Sequence, residues 1–227
     1  MQMATKILIV VTNHGNLGDT DKKTGWYLPE VAHPYHVFKE AGYDVTFVSP
    51  KGGRSPMATV KFTEMTTYVN GSEVGQVHEL DNTLSPYQIN ISEYRAIVYA
   101  GGHGPMWDVA ENIELAQMCT NLYENGGLVA AVCHGAAGLI NVKLSNGQNI
   151  VKGRTITSFT NSEEAAIALT DVMPFLLETR LKELGANFIA DDDFKRNVQL
   201  DHRLITGQNP ASSKRMAKKL VEILKYS

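Results

Sequence analysis

A cysteine and a histidine stand side by side where an apolar run of this chain ends. Residues 128–132 are Leu-Val-Ala-Ala-Val, and Cys133, His134 and Gly135 follow them. The pattern predicts a buried strand, a sharp turn and then a helix, because small residues tolerate a tightly bent backbone. A side chain presented at a helix N-terminus meets partial positive charge, which favours a thiolate over a thiol. We interpret Cys133 as a nucleophile, with a buried structural cysteine as the alternative.

A carboxyl group could exchange a proton with that thiol. Glu30 lies in the first turn of a predicted helix. In one interpretation its charge merely favours the helix dipole, and in the other it is a general acid or base beside Cys133. Spacing along the chain does not separate the two.

His134 could act as a base for Cys133, although adjacent residues seldom face each other. It can do so only if a sharp turn directs both side chains into one cleft and a carboxylate orients the imidazole. Glu163 or Glu164 could supply that carboxylate, since both follow a predicted strand. In the alternative interpretation, the two glutamates only supply the negative charge that is favourable at the start of a helix.

The glycine-rich turn at 101–104 follows another apolar run. Its spacing is not G-x-G-x-x-G, so a dinucleotide-binding loop is disfavoured. Backbone N–H groups of Gly102 and His134 could instead form an oxyanion hole beside the thiol. In proteins with a parallel sheet, ligands bind at the carboxyl ends of the strands. Side chains near those ends therefore either narrow a substrate pocket or pack in the protein interior. The candidates are His14, Trp26, His103 and Trp107.

Alternating strands and helices must position these residues. Besides the strand before Cys133, we predict strands over 6–12, 44–50, 94–100 and 155–159, and a hairpin over 197–206 that turns at 201–203. We predict helices over 29–41, 109–125, 174–184 and 210–226. Residues 54–92 are weakly patterned and are expected to hold an insertion or a hairpin around Tyr68–Gly71. The alternation predicts one α/β domain over 1–227, with a mostly parallel sheet covered on both faces.

Composition excludes several classes of protein. Of the 227 residues, 43% are hydrophobic and 20% charged, as in an ordinary globular domain. The net charge of −3 and the lack of a basic block argue against nucleic-acid partners. No apolar stretch approaches membrane-spanning length. The apolar run at the start of the chain is too short for a signal peptide and predicts a first strand instead. The two cysteines, Cys119 and Cys133, argue against a disulfide framework, which predicts a reducing, cytoplasmic location.

Two further residues, Cys119 and His202, are not expected to take part in the chemistry. Cys119 recurs at helical spacing with other apolar residues, so it is expected in the core. His202 falls in the predicted hairpin turn and is expected to be exposed. No His and Cys residues show zinc-binding spacing, so no metal is expected.

A set of segments resembles the ThiJ/PfpI family, the superfamily of the parkinsonism-associated protein deglycase, whose fold is like that of class I glutamine amidotransferases. The segments are 24–30, 34–35, 41–45, 49–53, 101–104, 131–135 and 206–210. Ala-Val-Cys-His-Gly, preceded by Gly-Gly-His-Gly, is similar to the branch of heat-shock-type chaperones and glutathione-independent glyoxalases. The resemblance implies a flavodoxin-like three-layer α/β/α sandwich, no cofactor and a homodimer.

The resemblance also implies roles for individual residues. Glu30 becomes the partner of Cys133, and His134 joins a downstream carboxylate, for which Glu164 is the best match. Glutamine amidotransferases use a distant His-x-Glu, but His202 is followed here by Arg-Leu. Glutamine hydrolysis is therefore not expected.

The leading hypothesis is a cofactor-free, glutathione-independent glyoxalase. It would convert methylglyoxal-type dicarbonyls into hydroxy acids such as lactate through a hemithioacetal on Cys133, with deglycase activity as a possible extension. One alternative is a stress-response chaperone in which Cys133 senses oxidants. A weaker alternative is a cysteine peptidase or amidase. All three need the same thiol, so the sequence does not separate them.

Overall fold

A six-stranded sheet organises the chain in the computed structural model, which describes residues 5–58 and 79–226. The strands are β1 (Lys6–Val10), β2 (Asp44–Val48), β3 (Tyr94–Tyr99), β4 (Leu128–Val132), β5 (Thr155–Ile156), β6 (Asn187–Phe188), β7 (Val198–Asp201) and β8 (Leu204–Gly207). The order in the main sheet is β2-β1-β3-β4-β8-β7. All its pairs are parallel except β7 with β8, so the predicted mostly parallel sheet is confirmed.

Helices cover both faces of this sheet. The α-helices of the described residues are α1 (Leu28–Glu40), α2 (Ile113–Glu124), α3 (Asn161–Ala166), α4 (Leu177–Glu183) and α5 (Ser213–Leu224). One apolar core lies between the sheet and α1 with α5, and the other lies between the sheet and α2 with α4. This arrangement is the expected three-layer α/β/α sandwich.

The central strands β1, β3 and β4 are apolar apart from Lys6 and Arg95 near the starts of β1 and β3, because each face packs against helices. In β1, Ile7 and Ile9 point into the core under α1, while Leu8 and Val10 point into the core under α2. Strands β3 and β4 alternate in the same way. Because β1, β3 and β4 pair in parallel, their carboxyl ends lie together at one edge of the sheet, where a site can form.

Most predicted elements are present with shifted ends. The helix predicted over 109–125 begins at Ile113, because the side chain of Asn112 accepts a hydrogen bond from the Leu115 N–H and caps the helix there. The helix predicted over 174–184 covers 177–183, and the closing helix covers 213–224 after a short 3₁₀ turn. The hairpin over 197–206 is confirmed as β7 and β8.

The strand predicted over 155–159 is wrong as a member of the main sheet. Only Thr155 and Ile156 are extended, and they pair with β6 in a separate two-stranded sheet. The next residue, Thr157, donates its N–H to the side-chain oxygen of Thr206 on β8 instead of to a strand backbone. This hydrogen bond directs the segment toward the edge of the sheet that carries Cys133.

The weakly patterned region is described only in part. The hairpin predicted around Tyr68–Gly71 lies outside the described residues. The described ends of the region 54–92 form isolated β-bridges to the rest of the fold. Leu84 pairs with Val48 of β2, and Met57 pairs with Trp26 shortly before α1. Whether 54–92 is an insertion, and whether 1–227 is a single domain, stay predictions. No helix in the described ranges is long and apolar enough to span a membrane.

Candidate active site

Cys133 lies at the sharp turn that the sequence predicts. It follows β4 directly and has a φ of 56°, a left-handed conformation that non-glycine residues seldom adopt. The helix predicted after the turn follows as a 3₁₀ helix over 133–139. A Cβ at Gly135 would lie 2.3 Å from the Tyr99 carbonyl oxygen, so only glycine fits this turn.

His134 connects the thiol to a carboxylate. Its Nδ1 lies 3.3 Å from the Cys133 sulfur, and its Nε2 lies 2.6 Å from Oε2 of Glu164 in the first turn of α3. Both ring nitrogens are therefore engaged, so the sharp turn does bring two adjacent side chains into one cleft. The order Cys133, His134, Glu164 is that of a nucleophile, a base and a group that orients the base.

Glu163 has a structural place instead. It caps α3 by accepting the Thr160 N–H at 2.9 Å. It also accepts the Phe194 N–H at 2.8 Å and the Asn209 side-chain amide at 2.7 Å. These bonds hold three segments together and direct Glu163 away from His134, so of the two candidates Glu164 reaches the site.

A second histidine contacts the same carboxylate. His103 lies 3.1 Å from Oε1 of Glu164 through its Nε2, and its ring centroid is 4.2 Å from that of His134. His103 comes from the glycine-rich turn after β3. The sequence predicted His103 only as a residue that lines the pocket, without a contact to the catalytic candidates. Each carboxylate oxygen of Glu164 thus forms a hydrogen bond with a different histidine.

Glu30 is completely buried in the first turn of α1, beside Cys133. A Cβ at Gly101 would lie 2.5 Å from Oε2 of Glu30 and 2.9 Å from Cβ of Cys133, so the glycine leaves room for the two side chains to lie close together. Neither carboxyl oxygen has a well-aligned hydrogen bond within the described residues. Burial raises the pKa of Glu30 to about 8, although the nearby Cys133 thiol and Gly102 N–H lower it. The carboxyl group is therefore mostly protonated at neutral pH.

The thiol is also protonated at rest, which corrects the expectation of a thiolate. Burial is the largest cause that raises the pKa of Cys133 well above its usual range, followed by the charge that Glu30 would carry. The backbone N–H of His134 lowers the pKa of Cys133 but does not offset these effects. Cys133 therefore needs a base to remove its proton during reaction.

His134 is neutral and Glu164 is ionised. Burial, and then the neighbouring His103, lower the pKa of His134 to about 4 against the raising effect of Glu164. Burial alone would raise the pKa of Glu164, but hydrogen bonds from His103 and His134 together lower it to about 2. A carboxylate only accepts, so Nε2 of His134 carries the hydrogen and Nδ1 is free to accept the thiol proton.

The two predicted oxyanion donors both reach the site. Gly102 has a φ of 89°, and a Cβ there would lie 2.2 Å from the Gly25 carbonyl oxygen, so glycine is required. The Gly102 N–H lies near the Glu30 carboxyl group, and the His134 N–H lies near the Cys133 sulfur. Whether the two N–H groups bind one oxyanion stays a prediction.

A cavity of about 590 Å³ opens above the thiol. Its described lining is mostly apolar and comprises Leu17, Lys22, Lys23, Thr24, Tyr27, Glu30, Ala58, Gly102, His103, Cys133, His134, Phe159, Ile167, Phe194 and Pro210. Its volume lies within the range of about 300–1,000 Å³ that is usual for small-molecule sites. Of the four predicted pocket residues, only His103 lines this cavity.

The other three predicted pocket residues pack elsewhere. The ring of His14 stacks on Trp107 with centroids 4.8 Å apart. The Trp26 indole N–H donates to the Ser55 carbonyl at 3.1 Å, which holds this buried side chain in the core. Each aromatic side chain is thus held by a contact that the sequence pattern could not show.

Sequence reasoning missed the aromatic residues that do line the cavity. Phe159 stands at the end of the segment that was predicted as a strand, so its position at a carboxyl end was a usable signal. Tyr27 comes directly before α1 and could have been found with Glu30. Phe194 lies in a loop with a φ of 60°, and no sequence pattern pointed to it.

His202 lies far from this chemistry. It occupies the turn between β7 and β8, with its side chain 75% exposed. Because β8 is parallel to β4, the residue before β8 lies at the opposite edge of the sheet from Cys133. His202 is therefore not a partner of the thiol.

We expect Cys133 to react with iodoacetamide before Cys119 does. Cys133 lines the cavity, whereas Cys119 is fully buried on the core-facing side of α2, where burial raises its pKa to about 12. Labelling should be slow at neutral pH and faster as pH rises, because the thiolate is the reactive form. Peptide mass mapping over time measures this, with urea-unfolded protein as the control in which both cysteines label. Earlier labelling of Cys119 would contradict the assignment.

Comparison with known proteins gives concordant matches. The family model described as the DJ-1/PfpI family matches residues 25–223. The glutathione-independent glyoxalase HSP31 of Saccharomyces cerevisiae is 29% identical over 97% of this chain and 98% of its own length. The X-ray structure of Rapid Encystment Protein 24 kDa from Francisella tularensis is 36% identical, with a TM-score of 0.89, covering 97% of this chain and 99% of that chain. Glyoxalase III from Candida albicans is 26% identical, with a TM-score of 0.86 and 96% of each chain covered.

Proposed function

Because the chain belongs to the DJ-1/PfpI family, and its similar proteins include glutathione-independent glyoxalases, we propose that it is a glyoxalase of that kind. The observation that carries the proposal is the joining of Glu30, Cys133, His134 and Glu164 at one cavity. The substrate is a small dicarbonyl such as methylglyoxal, and the product is a hydroxy acid such as lactate.

The first step makes a hemithioacetal. The Cys133 sulfur bonds to the aldehyde carbon while its proton passes to Nδ1 of His134, 3.3 Å away. Glu30, which is protonated at rest, gives its proton to the aldehyde oxygen. Glu164 stabilises the imidazolium that forms, because it already accepts a hydrogen bond from Nε2.

The second step moves hydrogen between the two carbons. Glu30, now a carboxylate, takes the proton from the former aldehyde carbon while the imidazolium of His134 protonates the ketone oxygen, which gives an enediol. Glu30 then returns its proton to the neighbouring carbon, and the hydroxyl group on the first carbon gives its proton back to His134. The first carbon is thereby oxidised to a thioester and the second reduced to an alcohol, so no outside oxidant or cofactor is needed. Water then cleaves the thioester, with its proton taken by Glu30, and His134 returns the proton to the sulfur. The net reaction is methylglyoxal plus water giving lactic acid.

Glu30 is better suited than His134 to the carbon proton. A general base works best when its pKa lies near the working pH, and the pKa of Glu30 is about 8. The pKa of His134 is about 4, and this residue is engaged with the sulfur and with Glu164. The backbone N–H groups of Gly102 and His134 are the proposed stabilisers of negative oxygen during both steps.

The direct test is lactate formation from methylglyoxal with no glutathione present. Purified protein should produce lactate in proportion to the methylglyoxal consumed. Methylglyoxal also modifies arginine and lysine, so its loss without lactate is not turnover. Lactate that appears only when glutathione is added would contradict the proposal.

The two neighbouring glutamates should separate turnover from stability. Glu164→Gln is expected to lower lactate formation by about 10²–10⁴-fold with little change in unfolding, since the amide keeps the shape but does not orient and stabilise His134 as a carboxylate does. Glu163→Ala removes the acceptor of three N–H donors, two of them in buried hydrogen bonds, and is expected to cost about 2–5 kcal/mol of unfolding free energy. Urea denaturation and initial rates of both variants measure this. The opposite pattern would exchange the two roles.

The remaining expectations stay predictions. Deglycase activity, a homodimer, a cytoplasmic location and the lack of nucleic-acid or membrane partners depend on observations beyond this fold. The protonated state of the Cys133 thiol does not favour the redox-sensing alternative, because oxidation proceeds from the thiolate.

A further inference from the structure

Three metal-ligating side chains converge beside the thiol. Nε2 of His103, Nε2 of His134 and a carboxylate oxygen of Glu164 all lie within 4.8 Å of one another. They come from separate segments, since His103 and Glu164 are 61 positions apart in the chain. No local spacing motif could reveal this cluster in the sequence.

The donor set matches a known class of metal site. Two imidazoles and one carboxylate, with a fourth position left open, bind zinc in several zinc hydrolases. Imidazole nitrogens favour zinc and similar transition metals over magnesium or calcium, which prefer oxygen ligands. Tetrahedral zinc at about 2.0–2.2 Å from each ligand sets its ligand atoms ~3.3 Å apart. His103 and His134 contact different oxygens of Glu164, at 3.1 Å to Oε1 and 2.6 Å to Oε2. One ligand atom from each of the three residues lies within 4.8 Å of the other two, so modest side-chain movements would bring them to the spacing of a tetrahedral site.

The surroundings of the cluster also fit. The side chains of His134 and Glu164 are 1% and 5% exposed, and that of His103 is 20% exposed. Both imidazoles line the cavity, so a metal there could keep a water on the cavity side. The Cys133 sulfur lies at Nδ1 of His134, on the other side of the ring from the ligating nitrogen. A metal-bound His134 would donate its Nδ1–H to that sulfur, as metal-bound histidines usually donate to an outer partner.

We propose that His103, His134 and Glu164 form a binding site for one Zn²⁺-type transition-metal ion. In His134 the metal takes the Nε2 position through which the neutral imidazole donates its one N–H to Glu164. The hydrogen therefore shifts to Nδ1 of the same ring, the nitrogen that faces the Cys133 sulfur, and is not lost to solvent. That nitrogen then cannot accept the thiol proton. Metal binding therefore inhibits the site reversibly, a consequence that rests on the proposed function, whereas the binding itself does not.

Cobalt(II) gives a direct test, because its visible absorption reports nitrogen and oxygen ligands and a thiolate ligand adds a separate charge-transfer band in the near ultraviolet. Metal-free protein is titrated with Co²⁺ alone, as wild type, His103→Gln, Cys133→Ser and His202→Gln. We expect one Co²⁺ per chain, visible bands and no thiolate band. Cys133→Ser should bind like wild type, and so should His202→Gln, the matched loss of an exposed histidine. His103→Gln should bind at least tenfold more weakly, since even outer-shell partners are worth about 10–100-fold.

Three results would overturn the site. They are no Co²⁺ binding by folded wild type, a thiolate band that disappears in Cys133→Ser, and wild-type affinity in His103→Gln. Far-UV circular dichroism shows whether His103→Gln folds, and His103→Asn serves as a second variant. If neither variant folds, the wild-type and Cys133→Ser spectra still decide. Lactate turnover without Co²⁺ binding defeats this proposal alone, and Co²⁺ binding without turnover defeats the glyoxalase proposal alone.

Discussion

Replacing Cys133 by alanine is expected to abolish lactate formation from methylglyoxal. The sulfur is the only group in the proposed reaction that bonds to the substrate carbon, so without it neither the hemithioacetal nor the thioester can form. We expect a fall of at least about 10³-fold in kcat/KM, since removing the nucleophile of a hydrolytic triad costs about 10⁶-fold. The backbone at 133 has a φ of 56°, which alanine tolerates no worse than cysteine does, so the fold should survive.

Cys119→Ala is the matched control for that variant. It removes the other cysteine, which is fully buried on the core-facing side of α2 and is not among the residues that line the cavity. It should lose some unfolding free energy through a small cavity but keep near wild-type turnover. Initial lactate rates and melting curves of the two variants are compared under one condition. Retained turnover in Cys133→Ala, or its loss in folded Cys119→Ala, would remove Cys133 from the mechanism.

The fold was largely predictable because its central strands carry a local signal. β4 is apolar along its whole length and β1 is apolar after its first residue, as strands covered on both faces must be. The segment 155–159, Thr-Ile-Thr-Ser-Phe, is rich in β-branched residues that favour a strand, yet a tertiary hydrogen bond from Thr157 to Thr206 takes it out of the sheet. Such a bond depends on where β8 lies, and no window of the sequence contains that information.

The site was predictable where its chemistry is contiguous and less so where it is assembled. Cys133 and His134 are neighbours at a strand end, and that local pattern alone pointed to the cysteine that lines the cavity. Glu30 and Glu164 reach the thiol from helices far along the chain, so spacing left their roles open. The protonated thiol could not be foreseen either, because its pKa is set chiefly by burial.

Glu30→Gln is expected to remove most turnover while making stability less sensitive to a rise in pH from 4.5 to about 8. Glutamine can fill the site and donate a hydrogen bond, but it cannot carry a proton between the two substrate carbons. General acid–base groups are typically worth about 10²–10⁴-fold in rate, and that is the loss we expect. A group that acted only on the helix dipole would leave the rate unchanged and cost at most about 1 kcal/mol of stability.

The pH dependence follows from the pKa of Glu30, about 8 in the fold against an ordinary 4.5. Between these values the native state holds a proton that the unfolded chain has lost, so wild-type stability falls as pH rises through this window. The stability is fully present below pH 4.5 and lost by about pH 8. The loss from pH 4.5 to pH 7 is on the order of 3 kcal/mol for a fully buried group. Glu30→Gln has no such titration.

Urea denaturation of wild type and Glu30→Gln between pH 5 and pH 8.5 should therefore give curves that converge or cross. The difference between the two proteins isolates Glu30, because every other titrating group is common to both. Wild type should be the more stable or equal at pH 5, and the variant should gain on it steadily toward pH 8. A constant difference across that range, together with near wild-type lactate formation, would mean that Glu30 neither holds a proton in the fold nor moves one during the reaction.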